Sequence, residues 1–206
     1  MIFETIEVGA MQVNCYVLAE DEGRQAIIID PGSDAQEIKK ILDRHSLKPA
    51  IIINTHGHID HIGADNEFNV PVYVHKLDAE LLKNPELNLS VWMGETFIVG
   101  NEIKTVDDNE IIESAGLSLR VLHTPGHTPG GMCLVLDTSD DTIVFSGDSL
   151  FFRSIGRSDL PNGDGRLLVK SIRDKLFSLN DATRVYPGHG PCSTIGEEKR
   201  ENSYLS

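Results

Sequence analysis

The sequence predicts an α/β fold in which β-sheets pack against each other and helices cover them from outside. Short runs of β-branched residues alternate with segments of helical period, and the second half of the chain resembles the first. Since 40% of the 206 residues are hydrophobic, a large core can be buried. No Ser/Gly linker or low-complexity run interrupts the chain, and we therefore predict one domain over residues 1–206.

Four strands and two helices are predicted in the first half. The strands are β-branched runs that cover 12–18, 25–30, 50–54 and 70–75. A turn at 30–32 (DPG) precedes a helix that Ser33 or Asp34 can cap and that ends near Arg44. Its apolar face consists of Ile38, Ile41 and Leu42. A short helix is expected directly after the histidine-rich run at 55–61.

The second half contains further strand signals at 117–122, 131–136, 142–146 and 184–187. Apolar residues at helical spacing predict a helix over about 166–178. The segment 84–103 fits neither period and contains the single tryptophan, Trp92, together with Met93 and Phe97. Two interpretations of this segment stay open: an excursion packed on the core, or a lid or pocket wall.

The terminal residues and the cysteines favour a cytoplasmic protein. The first 18 residues contain acidic residues where a secretory signal would be basic, and no run of about 18 apolar residues occurs anywhere. Cys15, Cys133 and Cys192 are odd in number and far apart, which is neither a disulfide framework nor a metal knuckle. We expect reduced thiols.

The net charge is −14 and the isoelectric point is about 4.9. A surface with this average charge repels a phosphate backbone, since affinity for nucleic acid comes mainly from Lys and Arg. The charge therefore argues against a nuclease and leaves a small-molecule enzyme open. We expect neither nucleic acid nor a membrane as a partner, and the oligomeric state is not predicted.

The run THGHIDH contains His56, His58, Asp60 and His61 directly after a predicted buried strand. Imidazole and carboxylate are the natural ligands of zinc and similar divalent ions. One tetrahedral ion cannot bind all four, because the short chain path points them to different sides, whereas two neighbouring ions can. The run therefore predicts a binuclear metal centre.

Three later residues offer the remaining ligands. His127 lies in HTPGHTPG, Asp148 follows the strand signal TIVFS, and His189 lies in YPGHG. Each follows an apolar run, where a strand ends and the backbone is precisely positioned. Alone, Asp148 could be a turn residue or a helix cap and His189 a surface residue; as a set with THGHIDH they favour ligands.

The patterns THxHxDH, PGHT, SGD and GHG, in this order, resemble the metallo-β-lactamase superfamily over nearly the whole chain. The resemblance implies a four-layer αβ/βα sandwich, with two mixed β-sheets flanked by helices and a metal site at one edge. It implies that one ion is bound by His56, His58 and His127, that the other is bound by Asp60, His61 and His189, and that Asp148 bridges them. Asp30 resembles the carboxylate that orients ligands from behind.

Within the superfamily the chain is similar to short bacterial glyoxalase II proteins, which are hydroxyacylglutathione hydrolases. The similarity lies in LHTPGHTPGGMC, FSGDSLFFRSIGRSDLPNGD and YPGHGPCSTIGEEKRENSYL. Full-length glyoxalase II has a further helical domain with basic residues that hold glutathione, and this sequence stops at Ser206 without one. We therefore expect cleavage of a small acyl thioester, such as S-lactoylglutathione, and leave the thiol carrier open.

The expected reaction uses two divalent ions, zinc first, with iron or manganese as alternatives. Two such ions can share a water and lower its pKa from near 16 to about 7, so that a bridging hydroxide attacks the thioester carbonyl. Asp60 is expected to orient the hydroxide as well as to bind metal. No GxSxG sequence supplies a protein nucleophile.

Three other residues attract attention. His123, four residues before His127, is expected to support the ligands from behind or to be structural. Arg153 and Arg157 could bind a substrate carboxylate. The interpretation we favour slightly is that they pair with nearby acids, notably Asp159 and Asp164.

The main alternative is a persulfide dioxygenase, an oxidoreductase with one iron on two histidines and one carboxylate. Here His56, His58 or His61 could act with His127 and Asp148. A β-lactamase is disfavoured because those enzymes are exported and many have Cys at the bridging position. The flavodiiron pattern HxExD has Glu where this chain has His58. A non-enzymatic metal-binding role would not need a shared carboxylate.

Overall fold

Two six-stranded β-sheets form the centre of the molecule, and the computed structural model describes residues 1–138 and 141–205. The first sheet has the order β1-β2-β3-β4-β5-β6. Its antiparallel strands are β1 (Ile2–Val8), β2 (Val13–Ala19) and β3 (Gln25–Ile29), and its parallel part continues through β4 (Lys48–Ile53), β5 (Val72–His75) and β6 (Ile103–Val106).

The second sheet is built from the other half of the chain. Its strands are β7 (Ile111–Ser114), β8 (Leu117–His123), β9 (Met132–Asp137), β10 (Thr142–Gly147), β13 (Arg184–Pro187) and β14 (Ser193–Thr194). They lie in the order β14-β13-β10-β9-β8-β7, and β10 and β13 are parallel. A small hairpin of β11 (Leu150–Phe151) and β12 (Ser154–Ile155) stands beside this sheet.

Helices cover the outer face of each sheet. The first sheet is covered by α1 (Ala35–Arg44), which buries Ile38, Ile41 and Leu42, and α2 (Ile59–Ile62) follows the histidine-rich run. The second sheet is covered by α3 (Gly165–Ser171), which continues as a π-helix over Ile172–Leu176, and by α4 (Ile195–Glu201). None of the helices in residues 1–138 and 141–205 has the length and apolarity needed to cross a membrane.

The alternation of side chains along the strands divides the core into three layers. On β2, Tyr16 and Leu18 face the second sheet, while Cys15 and Val17 face the helix side. On β9, Leu134 packs between the sheets and the neighbouring residues pack against α3 and the π-helix. Two sheets between two helical layers confirm the predicted four-layer αβ/βα sandwich.

One local prediction was wrong, and a second was confirmed with a difference in helix geometry. Helix α1 begins at Ala35, but neither Ser33 nor Asp34 caps it, because Asp34 adopts a left-handed conformation and its carboxylate instead accepts a hydrogen bond from the Gly9 N–H at 2.7 Å. The predicted helix 166–178 is α-helical only to Ser171 and then widens to π geometry. Strands β1, β6 and β7 and helix α4 were not predicted.

An aromatic cluster between the sheets supports a stability prediction. The Phe145 ring lies 4.9 Å from Tyr16 and 5.7 Å from Phe3, measured between ring centroids, and is fully buried. We expect Phe145→Ala to lower the free energy of unfolding by about 3–5 kcal/mol, because it leaves a cavity between the sheets. Denaturant titration measures this loss. Phe152→Ala, the same change at an exposed ring, is the control. Equal losses in the two variants would contradict the conclusion that the loss arises from the burial of Phe145 between the sheets.

Candidate metal centre

The seven predicted ligands converge at one edge of the sandwich because each follows the carboxyl end of a strand. His56 and His58 follow β4, and Asp60 and His61 lie in α2. His127 lies in the loop between β8 and β9, Asp148 directly follows β10, and His189 follows β13. Since β10 and β13 are parallel neighbours, their carboxyl ends deliver Asp148 and His189 side by side.

Three overlapping groups have ligand atoms within 4.8 Å of one another: His56 with His58 and His127, His56 with His61 and Asp148, and Asp60 with His61 and His189. The first and third are the two terminal ligand sets that the resemblance implied. His56 and His61 belong to two groups each, so the two sets lie next to each other. Metal binding by these residues stays a prediction, and the geometry brings all seven together.

Asp148 lies between the two sets. Its Oδ1 is 3.3 Å from His61 Nε2, and its Oδ2 is 3.5 Å from His127 Nε2 and 3.7 Å from His189 Nε2. One carboxylate thus faces histidines of both sets. This is the position that a bridging ligand requires.

Three of the atoms that face the centre lack hydrogen-bond partners in the described part of the chain. Among the described residues, His56 Nε2, His61 Nε2 and Asp148 Oδ1 are buried and make no hydrogen bond. His58 Nδ1 and His127 Nε2 face each other at 3.0 Å. Because an unpaired buried polar atom is costly, the arrangement fits a cation that all of these atoms approach.

The other ring nitrogens are held by hydrogen bonds that set the tautomers. The Nδ1–H groups of His61, His127 and His189 donate to Asp30 Oδ2 (2.9 Å), to the Arg157 carbonyl (2.7 Å) and to the Met11 carbonyl (3.0 Å). His56 Nδ1 lies 3.2 Å from Thr55 Oγ1. In each of these four rings Nε2 is left with its lone pair toward the centre, as a metal ligand requires.

Electrostatics also prepare the site for cations. Burial, together with His127, lowers the pKa of His58 to about 3, so this imidazole is neutral as a ligand must be. Burial alone would raise the pKa of Asp148, but His61 and the other imidazoles lower it below its ordinary value. Burial alone would lower the pKa of His61, but the nearby carboxylates of Asp148, Asp30 and Asp60 raise it, and a metal cation bound at Nε2 would meet the same negative surroundings.

Gly188 leaves room for the side chains of Asp148 and His61. A Cβ atom at this position would lie 2.3 Å from Asp148 Oδ1 and 2.8 Å from His61 Cε1. Real Cβ atoms do not approach this closely, so a larger residue would displace a ligand. The small residue before His189 is therefore required by the site itself.

Asp78 was missed by the sequence analysis and connects two ligand loops. Its buried carboxylate accepts hydrogen bonds from the Gly57 N–H (3.1 Å), from Thr128 Oγ1 (2.7 Å) and from the Gly130 N–H (2.6 Å). Gly57 stands between two of the predicted ligands, and Thr128 follows His127. A lone Asp after the strand signal 70–75 carries no local pattern that could have revealed this role.

Asn14 was also missed and holds the loop that carries His189. Its side-chain amide donates to the carbonyls of Pro187 (3.0 Å) and Gly190 (2.9 Å), and its backbone N–H donates to Gly188 at 2.7 Å. Strand β2, at the opposite end of the sequence, therefore fixes the last ligand. No sequence signal links the two segments.

His123 does not contact the seven predicted ligands in the described structure. Its ring stacks on His75 with the centroids 3.8 Å apart, and its Nε2–H donates to the Pro129 carbonyl at 2.9 Å. It therefore acts on the loop that follows His127 rather than on a ligand. Of the two expectations for this residue, the structural one agrees with these contacts.

The two arginines are engaged in ion pairs. Arg157 binds both oxygens of Asp159 at 2.8 Å, and Arg153 pairs with Glu201. Asp164, the other acid proposed as a partner, instead caps α3 by accepting from the Arg166 and Leu167 N–H groups. The arginine–acid interpretation agrees with the structure, with Glu201 in place of Asp164.

A cavity of about 470 Å³ opens above the centre and is lined by His58, Asp60, His127, Asp148 and His189 at its floor. Trp92 and Met93 stand in its wall, on a 3₁₀ turn over Ser90–Met93. Phe97, by contrast, packs against the first-sheet core. The segment 84–103 thus fits both interpretations, because its middle forms part of the cavity wall and Phe97 near its end packs on the core.

Comparison with known proteins agrees with this site. The sequence model of the metallo-beta-lactamase superfamily matches residues 8–189. An uncharacterized protein of Mycobacterium tuberculosis is 42% identical, with 100% of this chain and 98% of the relative covered. The hydroxyacylglutathione hydrolase GloC of Haemophilus influenzae is 35% identical over 100% of this chain and 99% of the relative.

Solved structures extend the comparison. The BLEG-1 B3 metallo-beta-lactamase superposes with a TM-score of 0.91 at 39% identity and complete coverage of both chains. A di-iron-bound form of TTHA1623 gives 0.82 at 32% identity, covering 98% of this chain and 100% of that one. ETHE1 from Myxococcus xanthus gives 0.80 at 29% identity, covering 98% and 84%.

The Asp30 carboxylate gives a prediction about metal affinity. We expect Asp30→Asn to weaken metal binding about 10–100-fold, because an amide has one acceptor oxygen. Either the Thr55 N–H at Oδ1, or the Thr55 hydroxyl and His61 Nδ1–H at Oδ2, would then face an NH2 group. Competition with a chelator measures the affinity. Asp65→Asn, a change at a buried acid that accepts only from Asn54 in the described contacts, should keep wild-type affinity. Equal weakening in both would contradict a specific role for Asp30.

A second prediction concerns the Asp78 connection. Thr128→Val keeps the shape of the side chain but removes the hydroxyl donated to Asp78, so a buried acceptor loses a partner at a cost of about 1–3 kcal/mol. We expect lower stability and weaker metal binding. Thr128→Ser retains the hydroxyl and should restore both. If Val and Ser behaved alike, the hydrogen bond would not be what positions the loop.

Proposed function

The chain belongs to the metallo-β-lactamase superfamily, and we propose that it is a binuclear metal-dependent hydrolase that cleaves acyl thioesters. The observation that carries the proposal is the position of Asp148, whose two oxygens face the histidines of both ligand sets. Hydrolysis adds one water to the thioester and yields a carboxylic acid and a thiol. The C–S bond breaks and the thiolate takes up a proton.

The seven residues would bind two ions. One ion would be held by His56, His58 and His127, and the other by Asp60, His61 and His189. Asp148 would bind both ions. Bound there, two divalent ions supply a Lewis acid and a water whose pKa is lowered to about 7. We propose zinc, with iron or manganese accepted by the same His/Asp donors.

Asp60 would position the attacking water as well as bind metal. It lines the cavity, its Oδ2 lies 3.4 Å from His189 Nε2, and His61 and His189 keep its pKa below the ordinary value although burial alone would raise it. An ionised carboxylate at the cavity floor accepts a hydrogen bond from a water molecule. This orients the lone pair of the water toward the substrate. Asp30 would keep His61 in the correct tautomer.

Two comparisons support the thioester. GloC of Haemophilus influenzae, a hydroxyacylglutathione hydrolase by name, matches this chain from end to end at 35% identity. The stretches that resemble glyoxalase II surround three of the proposed ligands. We propose a small-molecule thioester as the partner, without nucleic acid or membrane, in keeping with the net charge of −14.

A second candidate is a persulfide dioxygenase with one iron. The group His56, His61 and Asp148 has the composition of two histidines and one carboxylate that such iron sites use. ETHE1 from Myxococcus xanthus shares the fold at 29% identity. The four remaining side chains around the same cavity floor favour the hydrolase, because one iron would leave them without an ion.

Metal content and activity of the natively purified protein test the proposal. We expect two divalent ions per chain and turnover of acyl thioesters, S-lactoylglutathione included, which a chelator abolishes. Oxygen uptake with a persulfide and one iron per chain would overturn the hydrolase in favour of the dioxygenase. A β-lactam should be assayed as well, because of the similarity to BLEG-1. Cleavage of β-lactams but not of thioesters would contradict the proposed thioester substrate.

Two ligand variants test the site. His58→Ala and Asp60→Asn should each lose metal and thioester hydrolysis together, by more than the roughly 10–100-fold seen when a residue behind a ligand is changed. His45→Ala is the control, since His45 pairs with Glu4 at the end of α1 and takes no part in the centre. Retention of both metal and activity in either variant would contradict the assignment of that residue as a metal ligand.

A further inference from the structure

We propose that the substrate is a thioester with an apolar acyl group, held by contact with the Trp92 wall, and that no ion pair to an anionic carrier is needed. This inference rests on the proposed thioester hydrolysis and names the substrate class of the same site. It differs from a preference for a lactoyl group on glutathione, which is small and hydroxylated on its acyl side and carries two carboxylates on its thiol.

Apolar side chains from two parts of the chain line the cavity. They are Met11, Leu89, Trp92 and Met93 from the first half, and Phe151 and Ile155 from the small hairpin of β11 and β12. Trp92 is 62% exposed and Met93 54%, which is high for side chains of this size. Large apolar side chains left open beside a polar metal centre are the usual composition of a ligand site, in which the ligand covers the wall.

The cavity offers no free cation for a carboxylate. Among the described residues that line it, Arg157 is the one Lys or Arg side chain, and Asp159 binds it through both oxygens at 2.8 Å. A carboxylate on the thiol carrier would have to compete with this bidentate pair. The lining thus offers a carboxylate one cation that is already paired, whereas more than half of the lining residues are apolar.

Hydrogen bonds hold both of these apolar parts of the lining in place. Asn88 accepts from the Ser90 N–H (3.0 Å) and donates to the Phe97 carbonyl (2.9 Å), which fixes the turn that carries Trp92. At the hairpin, Asn202, which follows α4, donates to the Ser154 carbonyl at 3.0 Å, and Glu198 accepts from the Arg153 N–H at 2.9 Å. A wall with a fixed shape selects among acyl groups by fit.

The experiment measures kcat/KM for acetyl, butyryl and hexanoyl thioesters of N-acetylcysteamine, an uncharged thiol, and for hexanoyl- and lactoylglutathione. Full burial of one methylene changes binding about fourfold. We expect the hexanoyl thioester to exceed the acetyl thioester at least about tenfold. With the acyl group held constant, glutathione should differ from N-acetylcysteamine by no more than about threefold, less than one bidentate ion pair would give.

Trp92→Ala should lower the ratio of hexanoyl to acetyl kcat/KM at least about fivefold, because the acyl group loses its wall. Val91→Ala is the matched control, since Val91 is exposed beside Trp92 but does not line the cavity, and it should keep the ratio. An unchanged ratio in Trp92→Ala, or a preference of more than about tenfold for lactoylglutathione, would overturn the inference and leave thioester hydrolysis intact. Absence of turnover with every thioester would overturn the proposed function itself.

Discussion

The carboxylate of Asp30 is the constraint on which the site depends. It is buried at the end of β3 and accepts hydrogen bonds from the Thr55 N–H, the Thr55 hydroxyl and His61 Nδ1–H. The Thr55 hydroxyl in turn lies beside His56 Nδ1. One side chain thus ties the ends of two parallel strands to α2 and orients one histidine of each ligand set. Asp30 adopts a left-handed conformation to do this, with φ 49°, a strain that these hydrogen bonds offset.

Other buried polar residues hold the remaining ligand loops by hydrogen bonds. Asp78 joins the loop that contains His58 to the loop that contains His127, and Asn14 holds the loop of His189 from the opposite end of the sequence. His58, His127 and His189 therefore lie on loops that are each fixed by a buried polar residue from a distant segment. Such preorganisation explains how three donor atoms can be buried without partners at one place.

The sequence predicts much of this site because its ligands follow strands with strong signals. THGHIDH comes after AIIIN, Asp148 comes after TIVFS, and strands that end at one sheet edge deliver their next residues together. What the sequence could not predict lacks a local pattern. In strand β1 (Ile2–Val8), Glu4 and Thr5 are adjacent and break the alternation that marks a strand, and α4 is short and polar. Asp34 reads as a helix cap, yet a contact with Gly9, 25 residues away, takes its carboxylate. In α4, the pair Thr194 and Glu197 forms a capping box and was the one signal available.

Charge and apolar area act on different parts of the substrate in this account. The carboxylates of Asp60 and Asp148 keep the floor of the cavity suited to cations, while Trp92 and Met93 offer apolar area above it. A crystal structure with anomalous scattering collected at the absorption edge of the bound metal would show whether the centre is binuclear. We expect two peaks, one on each side of Asp148. A single peak among His56, His61 and Asp148, with the other side chains unbound, would contradict a binuclear centre.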